Sequence, residues 1–143
     1  MLKLNFTSLS LPVSKSFLQL LSLYCQAQLG SKTTSQRLTL RFRDKSYSVV
    51  ESGSCHPVDI GLTITDKANM TIVYITAFAY AGKHYPTLKR HIDFDFRHQL
   101  YFTVDTGWQR IQPSKAERLY REWERCFIDH VREGRYDDIN VIV

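Results

Sequence analysis

The stretch His91–Asp105, HIDFDFRHQLYFTVD, decides the fold. Ile92, Phe94 and Phe96 alternate with His91, Asp93, Asp95 and Arg97; after a tight turn, Leu100, Phe102 and Val104 alternate with Tyr101, Thr103 and Asp105. A period of two puts apolar side chains on one face of a sheet and polar ones on the other. The stretch therefore reads as a hairpin with one buried face. Opposed residues must point the same way. A turn over Arg97 to Gln99 meets that condition and predicts the pairs Phe96–Leu100, Phe94–Phe102 and Ile92–Val104. It also sets Asp95 against Tyr101 and His91 against Asp105.

Upstream, Ala81 to Pro86 reads as a loop and Thr87 to Arg90 as a helical turn. His56 to Thr65 and Met70 to Tyr80 form an earlier hairpin around the polar turn Asp66 to Asn69. Its predicted pairs are Ile64–Thr71, Leu62–Val73, Ile60–Ile75 and Val58–Ala77, with Gly61 against Tyr74 and Asp59 against Thr76. The return strand is apolar on both faces, as a central strand is. Arg37 to Arg43 is another strand, with Leu38, Leu40 and Phe42 on one side and Arg37, Thr39, Arg41 and Arg43 on the other. Asp44 to Cys55 is a loop containing Gly53, with room for a short strand at Tyr47 to Val50.

Two helices flank the strands. Ser14 is the N-cap of the first, whose apolar stripe runs Phe17, Leu20, Leu21, Tyr24, and whose end is set by Gly30 ahead of a linker from Ser31 to Gln36. Gly107 is read as breaking the strand after the hairpin. Pro113 and Ser114 then open a second helix, with Glu117 completing a capping box. Its core stripe is Ala116, Leu119, Tyr120, Trp123, Phe127 and Val131, bordered by Cys126 and His130, and Gly134 ends it. Asp138 to Val143 is a last strand. The fold class is α+β: one domain over residues 1–143, an antiparallel sheet of five to six strands, and both helices on the face bearing Ile92, Phe94, Phe96, Phe102 and Val104.

Composition bounds function. With 43% hydrophobic and 23% charged residues the chain is an ordinary folding sequence, so disorder is excluded as its mode of action. No apolar run approaches the ~20 residues of a membrane helix, and the N-terminal segment lacks the pattern of a signal peptide. No membrane partner is expected. Cys25, Cys55 and Cys126 form neither a disulfide framework nor a CxxC zinc site. A reducing compartment, the cytoplasm, is therefore the expected location. The net charge of +5 permits a nucleic-acid partner without requiring one.

Four segments, FRDKSYS at Phe42 to Ser48, HPVDI at His56 to Ile60, FAYAG at Phe78 to Gly82 and IDFDF at Ile92 to Phe96, resemble a bacterial family of small uncharacterised proteins. That family is the domain of unknown function numbered twenty-seven eighty-seven. The order of elements, through the RYDDINV tail, is similar too. The resemblance spans nearly the whole chain and implies no activity, so it transfers no functional residue.

Three groups of side chains carry candidate chemistry. His91, Asp93 and Asp95, with Tyr101, form a polar ligand face. Imidazole and carboxylates suit a divalent metal in donor type. Alternate residues on a flat strand stand about 6.5–7 Å apart, too far for three short side chains to converge on one ion. No metal and no cofactor is expected there; the row reads first as the wet side of a half-buried strand. Tyr47, His56 and Asp59 form a second cluster, in which His56 and Asp59, three positions apart, point to opposite faces of a regular strand. Arg37, Arg41 and Arg43 share a strand face, and Tyr74, Phe78 and Tyr80 offer rings, as in a single-strand nucleic-acid binder. No Walker loop, GxGxxG or HExxH occurs. The reading is a non-enzymatic module that binds a macromolecular partner, with a homodimer compatible. The alternatives are an enzyme using the His91/Asp93/Asp95 face and a single-stranded nucleic-acid binder.

Overall fold

The computed structural model describes residues 5–6, 10–29, 35–47, 55–65, 69–82, 86–111 and 113–143. The elements are β1 (Asn5–Phe6), α1 (Lys15–Leu29), β2 (Gln36–Arg43), β3 (Val58–Ile64), β4 (Asn69–Ala81), β5 (Thr87–Asp95), β6 (Leu100–Thr103), β7 (Gly107–Arg110), α2 (Pro113–Arg132) and β8 (Asp138–Ile142). Seven strands form one antiparallel path, β7-β6-β5-β4-β3-β2-β8, and the two-residue β1 pairs in parallel with the start of β4. The sheet is thus α+β as expected but larger than five to six strands. The difference is β7. Gly107 does not end the sheet: its φ of 70° lets the chain turn after β6 and pair again.

Both helices cover one face. Leu38, Leu40 and Phe42 of β2, Ile60 of β3 and Phe94 of β5 are fully buried there against Phe17 and Leu21 of α1 and Tyr120 of α2. Phe42 sits at the junction, edge-on to Tyr24, Phe127 and Tyr136 with centroids 5.5, 4.9 and 5.7 Å away. Trp123 is half-buried and stacks on Phe127 at 5.0 Å. Ser14 caps α1, its Oγ accepting from Phe17 N at 3.1 Å, while its own N–H donates to the buried Glu124 of α2 at 3.0 Å. Gly134, at φ 73°, closes α2, with Arg135 N donating to His130 O. The expected cap at Gly30, the side chains of Pro113 and Ser114, the segment 48–54 and the turn residues 66–68 lie outside the described residues.

The β3–β4 register matches expectation at Val58–Ala77, Asp59–Thr76, Ile60–Ile75 and Gly61–Tyr74. Beyond Gly61 a bulge at Val73 pairs Leu62 with Ile72 and Ile64 with Met70 instead. Thr87 to Arg90 is no helical turn; it opens β5, because the long β4 supplies partners as far as Ala81. The hairpin of β5 and β6 also differs. Its turn holds four residues, Phe96 to Gln99, so Asp95 faces Leu100, Phe94 faces Tyr101 and Asp93 faces Phe102. Asp95 holds this turn by accepting His98 N at 3.0 Å, and Gln99 adopts φ 58° without a glycine. The consequence is an exchange of faces in β6. Tyr101 is buried with Phe94, whereas Phe102 turns to the other side and Val104 is exposed.

Candidate functional site

The uncovered face of the sheet gathers most of the side chains with chemistry. β2 contributes Arg37, Arg41 and Arg43, and β3 Asp59 and Gly61. From β4 come Tyr74, Thr76 and Phe78, from β5 Arg90, Asp93 and Asp95, from β6 Phe102, and from β7 Trp108. A cavity of about 390 Å³ opens among Asp59, Thr76, Phe78, Arg90, Asp93 and Trp108. It shares Val73, Tyr74 and Arg97 with a second groove of about 270 Å³ that runs to Arg37.

Each aspartate on this face has a basic neighbour. Asp59 Oδ1 lies 2.9 Å from Arg43 Nη1 and 3.7 Å from Arg41 Nε, as ion contacts rather than aligned hydrogen bonds. Arg43 Nη1 is aligned instead on the carbonyl oxygens of Phe42 and Val58. Asp95 Oδ2 lies 2.8 Å from His98 Nδ1. Asp93 is only 4% exposed; its Oδ2 accepts from Thr76 Oγ1 at 2.6 Å and Arg90 Nε at 3.0 Å. Burial pushes its carboxyl above the ordinary aspartate range, against the lowering effect of those two donors. Among the described residues, the guanidinium groups of Arg37, Arg97 and Arg110 (which stands two places along β7 from Trp108) have no acidic partner.

Aromatic rings stand between the charges. Arg90 lies over Trp108 at 4.9 Å and Phe102 at 5.8 Å, and Arg43 over Phe78 at 5.8 Å. Trp108 is 43% exposed, enough to receive a stacking partner. Tyr74 lies across Gly61, as the sequence pairing implied. Tyr80 does not join this set; it packs on Tyr47 at 5.5 Å.

The proposed row of His91, Asp93 and Asp95 is divided by a bulge. Ala77 pairs with Ile92 and Phe78 with Arg90, which leaves His91 as the extra residue. Arg90 takes the place beside Asp93, and His91 stacks on His56 at 5.2 Å with rings within 3° of parallel. Tyr101 is likewise absent from the row, its hydroxyl donating to Gln109 Oε1 on the covered side. Among the described residues no group of three or more His, Cys, Asp or Glu side chains is arranged to hold a metal. His84, the loop residue nearest in sequence, lies outside the described residues.

Of the second cluster, Tyr47 and His56 meet, with ring centroids 5.2 Å apart, while Asp59 is on the other face, as strand parity requires. His56 Nδ1 is 2.9 Å from Phe78 O, which only accepts, so Nδ1 carries a proton and Nε2 keeps the lone pair of the neutral ring. Cys55 is buried, and burial raises its thiol above the usual range, which disfavours a thiolate beside His56. Cys126, expected at the border of the helix core, is exposed.

Sequence reasoning missed Arg90, Arg97 and Trp108. GWQR at Gly107 to Arg110 carried a usable signal, since an aromatic two residues past a turn is a natural cross-strand partner for Phe102. Nothing in the sequence marked the bulge.

Fold and site together define an α+β protein with two helices on one face of an antiparallel sheet and an uncovered arginine–aromatic face. The chain belongs to the family described as Protein of unknown function (DUF2787), whose pattern it matches over residues 15–142. It is similar to the solved structure of a hypothetical protein from the VSP-II pathogenicity island of Vibrio cholerae, with 41% identity and a TM-score of 0.83, covering 97% of this chain and 100% of that one. It is also similar to a conserved hypothetical protein from pathogenicity island VPI-2 of Vibrio cholerae O1 biovar eltor. There the identity is 36% and the TM-score 0.83, covering 96% and 99% of the two chains. That protein is described as sharing structural homology with the human P32 protein. No curated protein matches the chain. No helix among the described residues is long and apolar enough to cross a membrane.

Proposed function

We propose that the chain is a non-enzymatic binding module whose uncovered sheet face takes single-stranded nucleic acid. One observation carries this reading: the face interleaves arginines with partly open rings, while its three aspartates are each engaged by a basic neighbour. Bases stack on rings without regard to sequence, and guanidinium groups track phosphates. The free charge is small. With Arg37, Arg97 and Arg110 as the uncommitted cations, the slope of log K against log salt is about −2.1 for a single strand. Binding is therefore weak and salt-sensitive. The enzyme alternative requires His91 beside Asp93 and Asp95, and the bulge at His91 argues against it.

Fluorescence anisotropy with a labelled oligothymidylate of about twenty nucleotides tests the proposal. Saturable binding at about 25 mM salt is expected, weakening toward 200 mM. Replacing Arg37 and Arg97 by Ser flattens the salt dependence, and Trp108→Ala costs about 1–3 kcal/mol of affinity. Absence of binding at the lower salt, or binding unchanged in Trp108→Ala, refutes it.

A further inference from the structure

A second cavity, of about 220 Å³, lies between the sheet and α2, away from the arginine–aromatic face. Its inner wall is Ala77, Ile92, Trp123 and Phe127; His56, His91 and His130 line it too, with Cys126 and Tyr136. None of the lining residues is acidic. An apolar cavity of about 150 Å³ accepts benzene. This one exceeds that by roughly two water-sized volumes, room for a ring and a small polar group.

We propose that this cavity binds a small aromatic carboxylate, its ring between Trp123 and Phe127 on one side and Ala77 and Ile92 on the other, its carboxylate at the imidazoles. The stacked His56 and His91 favour an anion. Their rings are parallel at 5.2 Å, so a charge on one opposes a charge on the other. Burial and His56 both lower the basicity of His91, while Asp105 alone raises it. A carboxylate placed among the imidazoles relieves that repulsion and favours the charged form of His91. His130 adds a further donor from α2, and the thiol of Cys126 and hydroxyl of Tyr136 complete the titratable groups on the lining. His56 is suited to the role, because Nδ1–H is engaged by Phe78 O and Nε2 is left for a ligand once protonated.

Benzoate is the test compound and benzamide its neutral counterpart. Calorimetric or ligand-observed NMR titration at about pH 6 is expected to give saturable benzoate binding, about tenfold tighter than benzamide. That preference shrinks as pH rises to about 8, because an imidazole without its proton offers a carboxylate no charge. Ala77→Val narrows the cavity from the sheet and Cys126→Phe plugs it from α2. Because Cys126 is exposed, Cys126→Phe is expected to stay folded, and the folded variant is expected to lose benzoate binding. Equal binding of benzamide at pH 6, no saturation by benzoate, or undiminished binding in a folded plugged variant overturns the proposal.

Discussion

Gly61→Ala and Tyr74→Ala, made singly and together, test the packing of the binding face. A Cβ at Gly61 would sit 2.6 and 2.7 Å from Cδ1 and Cζ of Tyr74, and closer still to Cε1. No real methyl tolerates that, so the ring must swing away. The backbone does not object, since Gly61 is paired on both sides in ordinary strand geometry and its φ is not positive. Tyr74 is half-buried, and turning it into solvent re-exposes on the order of 60–80 Å² of apolar surface, about 1.5–2 kcal/mol at ~25 cal/mol per Å². Against that, exchanging Gly for Ala in a strand gains about 0.5–1 kcal/mol through the unfolded chain. Gly61→Ala is therefore expected to destabilise the wild type by about 1 kcal/mol and to stabilise Tyr74→Ala by about 0.5–1 kcal/mol, a coupling of about 1.5–2 kcal/mol. Urea unfolding of the four proteins, followed by circular dichroism, measures it. The same effect in both backgrounds, with a coupling below about 0.5 kcal/mol, would show that the ring does not lie over Gly61.

Phe42→Ala removes the ring that joins both helices to β2, and a loss of about 3–5 kcal/mol is expected in the same assay; a loss under 1 kcal/mol contradicts its central place. Asp93 gives a pH signature. Its carboxyl is raised above the ordinary 3.8 by burial, so the folded state holds that proton more tightly than the unfolded one. The associated stability is fully present below about pH 3.8 and is lost as pH rises through the folded-state value. The stability of wild type minus that of Asp93→Asn should therefore fall as pH rises from about 3.8; a rise instead would mean that Arg90 and Thr76 outweigh burial.

Much of the architecture was legible because straight strands write their faces into the sequence. The alternation in Arg37 to Arg43 and in His56 to Thr65 gave two strands and the pairing from Val58–Ala77 to Gly61–Tyr74. Ser14 and Gly134 marked helix ends by capping chemistry. Single-residue departures stayed hidden. The extra residues Val73 and His91 each reverse the parity of the strand beyond them, and no residue type announces them. The β5–β6 turn misled for a related reason. Leu100, Phe102 and Val104 look like core, but the uncovered face is itself partly aromatic and takes Phe102, while the amphipathic Tyr101 goes inside. The arginine row was visible; its aromatic partners Phe102 and Trp108 depended on that turn and were not.

The place of β8 has a consequence for how the chain avoids misassembly. β8 joins β2 across on the order of one hundred residues, a pairing whose closure costs more loop entropy than a hairpin's. Whenever β8 peels away, β2 shows a row of unpaired N–H and C=O groups beside Leu40 and Phe42, a template for the same segment of another copy. Two bonds just ahead of β8 act as a clasp against this: Tyr136 OH donates to His56 O at 2.8 Å, and Lys45 N donates to Asp137 Oδ1 at 2.9 Å. They anchor the segment at its root, so that fraying at Ile142 need not spread to the whole strand. A tyrosine hydroxyl and a surface aspartate, neither of which belongs to the sheet, thus guard the sheet's edge.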